Sequence, residues 1–338
     1  MENAPKFSLI ICTYMRAKAV LNLLQSVKNQ TVYPDEILIV DGSLNEETKE
    51  MLDKNTFPNL FYYLVAENDR GLTKQRNFGI NNVADDTEIV CFLDDDTVLD
   101  PTYFSELLQT YHLFPEALGV GGYITNECHW EEVGANYHPT PNEFYYDGWK
   151  RKEGSRFVLR KKIGLDSDKP PCFMPEFSHG RSVSFLPPSG KIYEVEQFMG
   201  GVSSFRKTVF ETLHFSHYFE GYGLYEDADF TLRLSDLGKL YLNTKATLSH
   251  FHDGSGRPNK FQYGKMVIRN GWYVWRVKHP KPSVTARLKW NAIAFLLTVI
   301  RLSNAVTSKD KKAAFTESFG RVVGWFSLLY DAPKIQNI

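Results

Sequence analysis

Short apolar runs alternate with stretches of helical period along the first third of the chain. Phe7-Ser8-Leu9-Ile10-Ile11-Cys12, Ile37-Leu38-Ile39-Val40, residues 60–66 and Ile89-Val90-Cys91-Phe92-Leu93 read as strands. Residues 16–30, 45–54, 71–83 and 101–113 read as helices, the first from Val20, Leu23, Leu24 and Val27 at helical spacing. Strands that are apolar on both faces and separated by helices predict an α/β fold. Its central sheet is mostly parallel with helices on both faces, and residues 118–124 continue it. Residues from about 126 to 197 break the rhythm, being rich in aromatic, Pro and charged residues without a long helical period. They predict a long insertion of short strands covering a site. Regularity returns with residues 198–206, which lead into a helix ending near Leu213. A helix over 226–237 follows, stopped by Gly238, and then a strand region over 241–251.

The pattern changes again after residue 256, so the expected division is a domain over 1–256 and a helical tail over 257–338. Trp290 to Ile300 is nearly apolar and bracketed by Lys289 and Arg301. As a helix it would span ~16 Å, about half a bilayer core and too short to cross one. Residues 322–330 supply a second short apolar stretch.

Composition, 43% hydrophobic and 23% charged, is that of a globular protein. Cys12, Cys91, Cys128 and Cys172 form no CxxC pair, which points to a reduced, cytoplasmic protein without a structural zinc site. No signal peptide is expected ahead of a strand that begins at Phe7. The net charge of −1 hides an asymmetry: residues 257–338 hold 15 Lys/Arg and 3 Asp/Glu, a net +12, which leaves −13 for residues 1–256. A basic tail on an acidic body expects an anionic partner. A membrane surface is preferred, met by short amphipathic helices with tryptophans at the interface. The competing reading packs the apolar run on the body, or at a homodimer contact. Nucleic acid is not expected, because no recognition motif accompanies the charge.

Chemistry concentrates at Asp94-Asp95-Asp96, directly after the fourth apolar run. Open α/β sheets place ligands at that edge. Adjacent carboxylates ~5 Å apart at an effective dielectric of ~20 repel by about 3 kcal/mol per pair. A hard divalent cation, Mg2+ or Mn2+, reverses the sign. The plain alternative is an acidic strand-to-helix turn.

The ordered motifs then carry a resemblance. Ile11-Cys12-Thr13-Tyr14-x-Arg16 and Val40-Asp41-Gly42-Ser43 each close a strand. Gly71-Leu72-x-x-x-Arg76-Asn77-x-Gly79-Ile80 and Leu93-Asp94-Asp95-Asp96 follow. Gly200-Gly201-x-x-x-Phe205-Arg206, then Tyr225-Glu226-Asp227-Ala228-Asp229-x-x-x-Arg233, precede His250. The set resembles the family 2 inverting glycosyltransferases of the GT-A fold over residues 7 to about 256, apart from the insertion. That resemblance implies a nucleotide-sugar donor, a divalent metal (Mn2+ or Mg2+), and a glycan or lipid-linked acceptor in cell-surface polysaccharide assembly. Tethering to the cytoplasmic membrane face is expected with it. By the same resemblance Thr13, Tyr14, Arg16, Asp41 and Arg76 fall on the donor side. Asp94 and Asp96 form the metal pair with His250, and Asp95 makes a local or sugar-side contact. Asp227 is the general base, with Glu226 beside it, and Gly200, Gly201 and Arg206 line the acceptor side.

Plainer readings accompany several of these. Asp41 suits an Asx turn with Gly42. The acids at 226, 227 and 229 suit a helix start, where the dipole favours a carboxylate, and Asp229 can pair with Arg233 at i+4. His250 and His252 are expected to face opposite ways, with His250 the one in the site. Gly254-Ser255-Gly256 suits either a turn or a loop near phosphates. A dinucleotide oxidoreductase is excluded, because no G-x-G-x-x-G follows the first strand. The alternatives are a sugar nucleotidyltransferase, disfavoured by the glycine-free loop after the first strand, or a catalytically silent glycan-binding protein of this fold.

Overall fold

The structure, a computed structural model, describes residues 5–219, 221–252 and 258–335. In chain order the elements are β1 (Phe7–Thr13), α1 (Ala17–Lys28), β2 (Glu36–Asp41), α2 (Glu47–Asp53), β3 (Leu60–Leu64), α3 (Leu72–Ile80), β4 (Ile89–Asp94) and β5 (Thr97–Leu99). Next come α4 (Tyr103–Leu113), β6 (Ala117–Ile124), β7 (Glu131–Glu132), β8 (Glu143–Tyr146), β9 (Trp149–Lys152), α5 (Ser155–Lys162), β10 (Ile192–Val195) and β11 (Val202–Arg206). The chain ends with α6 (Glu226–Ser235), β12 (Lys239–His250), α7 (Lys260–Lys278), α8 (Val284–Thr307) and α9 (Lys311–Ser327). It divides into two compact units.

The first unit holds residues 5–129 and 186–252. Its sheet runs β10-β12-β6-β11-β4-β1-β2-β3, with β5 paired to β12. Six strands run one way, and β5, β10 and β11 run against them. The mostly parallel α/β sheet expected from the buried runs is therefore present. On one face Leu9, Ile11, Ile37, Ile39 and Leu93 meet Leu23 and Leu24 of α1 and Leu107 and Leu108 of α4. Each such side chain, fully buried, stabilises the fold by about 1.5–3 kcal/mol. On the other face α3 packs on β1 and β2. There Phe230 of α6 stacks on Phe215 with ring centroids 4.4 Å apart, and Phe215 meets Phe92 at 5.5 Å. Register places Thr13 opposite Asp41 and Cys12 opposite Asp94, so three motif ends share one sheet edge.

Two local expectations change here. Residues 207–211, expected as the start of a helix, form a short 3-10 turn after β11. Asp94 to Asp96 lead into the three-residue strand β5 rather than directly into α4.

The second unit holds residues 130–185 and 258–335. In its small sheet β8 and β9 form a hairpin through Asp147 and Gly148, both at positive φ (50° and 84°), the geometry of a two-residue primed turn. A helix the sequence pattern missed, α5, buries Phe157 and Arg160, three residues apart. Arg181 bonds Glu153 at 3.0 Å and lies over the Phe157 ring.

Side chains of Asn259, Ser283 and Asp310 accept from backbone N–H groups in the first turns of α7, α8 and α9. Helices α7 and α9 approach closely: a Cβ on Gly320 would stand 2.1 Å from the Phe261 carbonyl oxygen, and one on Gly264 2.1 Å from that of Glu317. Glu317, nearly buried, bonds Arg301 at 2.8 Å and Arg321 at 2.7 Å.

The apolar run over 290–300 sits inside the 24-residue helix α8, which by length and composition could cross a membrane. Only 22% of its apolar window is buried. The extra length comes from the Ser283 cap and from polar residues that lack a helix breaker. Trp275 and Trp290 stack at 5.5 Å, and both are buried, so these two do not stand at a membrane interface.

Candidate active site

The site grows from the shared sheet edge of the first unit. At the end of β1 the Thr13 hydroxyl donates to Asp95 Oδ2 at 2.7 Å, and Arg16 Nη1 lies 3.0 Å from Asp95 Oδ1 and 3.7 Å from Asp96 Oδ2. Asp95 is thus a local contact, nearly buried. Burial pushes its carboxyl up to about 6, against the bonds from Thr13 and Arg16. Tyr14 is exposed in the same loop. Asp41 is fully buried, with Oδ1 accepting from Ser43 N at 2.8 Å and Oδ2 from the Tyr62 hydroxyl at 3.0 Å. The Asx-turn reading of Asp41 is what the structure contains.

The outer aspartates are arranged differently. Asp94 is the more exposed, its side chain at 39% against 10% for Asp96. The backbone beneath Asp94 has no room for a side chain: a Cβ on Gly201 would stand 1.9 Å from Asp94 Cγ. A Cβ on Gly200 would stand 2.5 Å from Arg76 Nη1 and 2.9 Å from Glu226 Oε1. The glycine pair therefore lets β11 pass directly under the acidic cluster.

Strand β5 pairs antiparallel with the end of β12, with His250 opposite Thr97. That pairing sets His250 Nε2 3.0 Å from Asp96 Oδ1. Asp94, Asp96 and His250 each present one ligand atom, all within 4.8 Å of one another. Two carboxylate oxygens and an imidazole nitrogen suit Mn2+ or Mg2+, so the donor set fits the expected ion. Burial opposes charge on His250, but bonds to Asp96 and Glu127 outweigh it and bring the ring up to about 10. His252 does not face away from His250. Residues two apart share a strand face, and the ring centroids lie 4.1 Å apart. Asp96 also lines a cavity of about 610 Å3, walled by Asn22, Gln25, Val98 and Phe251.

The second acidic group opens α6. Tyr225 takes a left-handed conformation (φ 71°) just before Glu226, a strained entry for a non-glycine residue. Glu226 is nearly buried and meets Arg76 Nη1 at 2.6 Å. Arg76 Nη2 lies 3.5 Å from Asp94 Oδ1, and its guanidinium sits 5.1 Å from the Phe215 ring centroid. Burial alone would lower Arg76, but the carboxylates of Glu226 and Asp94 hold it above its ordinary value. Burial pushes Glu226 upward against Arg76. Arg76, expected on the donor, thus joins the two acidic groups. Asp227 is half-buried, and its Oδ1 accepts from Ala228 N at 2.7 Å. Burial raises its carboxyl, with the Ala228 N–H and Arg76 opposing. Asp229 pairs with Arg233 at 2.7 Å, separate from this set.

One expectation fails geometrically. Arg206 is opposite Ile89, at the far end of β4 from Asp94, and its guanidinium binds the carbonyls of Ala117 and Pro115 at 2.9 and 2.7 Å. It does not reach this edge. Two residues go unread in the sequence. Buried Gln75 donates to the carbonyls of Thr13 and Val40, tying the ends of β1 and β2 to α3. Glu127 bonds both histidines. Neither lies at a motif position, and no spacing signals it. Asp253 to Gly256, and with them the loop expected near phosphates, lie outside the described residues.

The Glycosyl transferase family 2 profile matches residues 8–173. The glucosyl-dolichyl phosphate glucuronosyltransferase of Haloferax volcanii is 30% identical over 144 residues, 42% of this chain and 44% of its own length. The O-antigen chain rhamnosyltransferase of Salmonella typhimurium is 28% identical over 94 residues, 28% of this chain and 29% of its own. An Escherichia coli UDP-Gal:alpha-D-GlcNAc-diphosphoundecaprenol beta-1,3-galactosyltransferase is 31% identical over 98 residues, 28% of this chain and 35% of its own. The chain spans less than half the length of these relatives. The α/β sheet, the motif order along it and these matches agree: residues 8–173 match glycosyl transferase family 2, and the sheet is consistent with the GT-A fold of that family.

Proposed function

We propose that the protein is a metal-dependent inverting glycosyltransferase that moves a sugar from a nucleotide-sugar donor to a lipid-linked or glycan acceptor. The observation that carries this reading is the pairing of two acidic groups through Arg76. One is the ligand set Asp94, Asp96 and His250, and the other is Glu226-Asp227 at the start of α6. Mn2+ or Mg2+, when bound, would neutralise the diphosphate that leaves. Asp227 takes the proton of the acceptor hydroxyl. The new bond from that oxygen to the anomeric carbon forms as the bond to the diphosphate breaks, which inverts the centre. Glu226, held by Arg76, fixes the first turn of α6 and so the place of Asp227. Thr13 and Arg16 orient the Asp94–Asp96 turn through Asp95. The dolichyl and undecaprenyl carriers named for two relatives favour a lipid-linked acceptor. They also favour work at the cytoplasmic membrane face.

The test is donor hydrolysis across UDP-, GDP- and dTDP-sugars with and without Mn2+. Turnover should require the ion with at least one donor, and Asp96→Ala should lower it on the order of 100-fold. Full activity in chelator, or in Asp96→Ala, removes the metal assignment. Nucleotide-sugar synthesis from a sugar phosphate and a nucleoside triphosphate would favour the nucleotidyltransferase instead.

A further inference from the structure

Glu127 belongs to no motif, yet it touches the one nitrogen ligand of the site. It follows β6, which pairs parallel with β12 up to Leu248 opposite Ile124. The next residues reach across to His250. Asn126 holds its backbone in both directions: His250 N donates to Asn126 Oδ1, and Asn126 Nδ2 donates to the His250 carbonyl, each at 2.9 Å. Glu127 Oε1 lies 3.0 Å from His250 Nδ1.

This matters because a histidine ring turns about a broad, roughly two-fold torsion. With the backbone fixed by Asn126, the ring can still flip, which would put Cε1 in place of Nε2 before Asp96. A partner on Nδ1 removes that freedom and leaves Nε2 directed at Asp96, where it stands at 3.0 Å. Carboxylates bonded to the second nitrogen of ligating histidines act in this way in metal sites generally.

We propose that Glu127 is a positioning residue: its carboxylate accepts from His250 Nδ1–H and holds Nε2 toward the divalent cation shared with Asp94 and Asp96. The inference rests on the metal reading above. His252 shares the same oxygen, with Nε2 also 3.0 Å from Glu127 Oε1, but its side chain is 56% exposed. His252 therefore bounds the carboxylate from the solvent side, and His250, whose Nε2 lies 3.0 Å from Asp96 Oδ1, is taken as the ligand.

The full-length protein is titrated with Mn2+ alone. Free ion is counted by electron paramagnetic resonance, and bound ion is probed by electron spin echo for nitrogen coupling from a directly bound histidine. His250→Ala and Asp96→Ala should both weaken binding, and His250→Ala should abolish the nitrogen coupling. If neither variant changes binding, the metal reading itself falls, whatever Glu127 does. Given that control, Glu127→Ala should weaken binding by about 10–100-fold and diminish the coupling. Glu127→Gln, whose amide oxygen still accepts from Nδ1–H, should stay within a few-fold of wild type and keep the coupling. His252→Ala should keep it too. The inference is overturned if Glu127→Ala binds like wild type. It is equally overturned if Glu127→Gln is as weak as Glu127→Ala, since charge rather than ring orientation would then be at work. Loss of coupling in His252→Ala would overturn it by making His252 the ligand.

Discussion

Asp227 and Glu226 are adjacent carboxylates with different partners, and that separates their work. Glu226 is nearly buried against Arg76, so its ionised form is already spent on an ion pair. Asp227 is half-buried, with Oδ1 accepting from Ala228 N at 2.7 Å. A base must be ionised to accept a proton, so transfer should fail as pH falls through the Asp227 pKa. Burial raises that pKa above the ordinary ~3.9 of aspartate. The acid limb of kcat should therefore stand at higher pH than for a solvated aspartate. Asp227→Asn keeps the shape, removes the base, and should lower kcat on the order of 10²–10⁴-fold with donor affinity little changed. A variant that retains both wild-type kcat and the acid limb would assign the base elsewhere.

At the scale of elements, backbone proximity decides what can change. Gly320 and Gly264 bring α9 against α7 with carbonyl oxygens where side chains would stand. A backbone oxygen cannot rotate away, so Gly320→Ala must push the helices apart. Overpacking of this kind costs about 1–3 kcal/mol. Urea unfolding should show a lower midpoint, and an unchanged midpoint would mean that α7 and α9 are not packed this way. The parallel strands and their helices were legible because buried runs and helical periods are long signals. What escaped was short or mixed. Strand β5 has three residues, too few to show a period, yet it is what sets His250 beside Asp96. Helix α5 buries Phe157 and Arg160 on one face, and a buried arginine breaks the apolar pattern. The roles of Asp41 and Arg76 were blurred for another reason: a motif names a residue but not its partners. Tyr62 and Glu226, which occupy them, lie 21 and 150 positions away.

At the scale of the whole chain, the +12 of residues 257–338 stands against −13 elsewhere. Within the second unit, α8 exposes Val284, Leu288, Phe295, Val299, Leu302 and Val306, a stripe spaced by three, four and seven. Helix α9 exposes Phe315, Phe319 and Phe326 at the same spacing. Exposed apolar stripes beside excess positive charge match an anionic bilayer surface, where apolar burial and each Lys or Arg contribute separately, about 1 kcal/mol per charge. Phe295 and Phe319 are 57% and 55% exposed. Burying the exposed half of each ring in lipid gains about 1 kcal/mol, and a glutamate there forfeits that and adds repulsion. The protein should therefore sediment with vesicles of about one-third phosphatidylglycerol and less with neutral ones. The Phe295→Glu/Phe319→Glu variant should bind on the order of 100-fold more weakly while donor hydrolysis is unchanged. High salt should remove only the part owed to charge. Equal sedimentation of the variant would detach the stripes from the membrane, and a wild type that dimerises through them in sedimentation velocity would give them a second copy as partner. Resistance to alkaline carbonate extraction would instead make α8 a span, which its 24 residues permit.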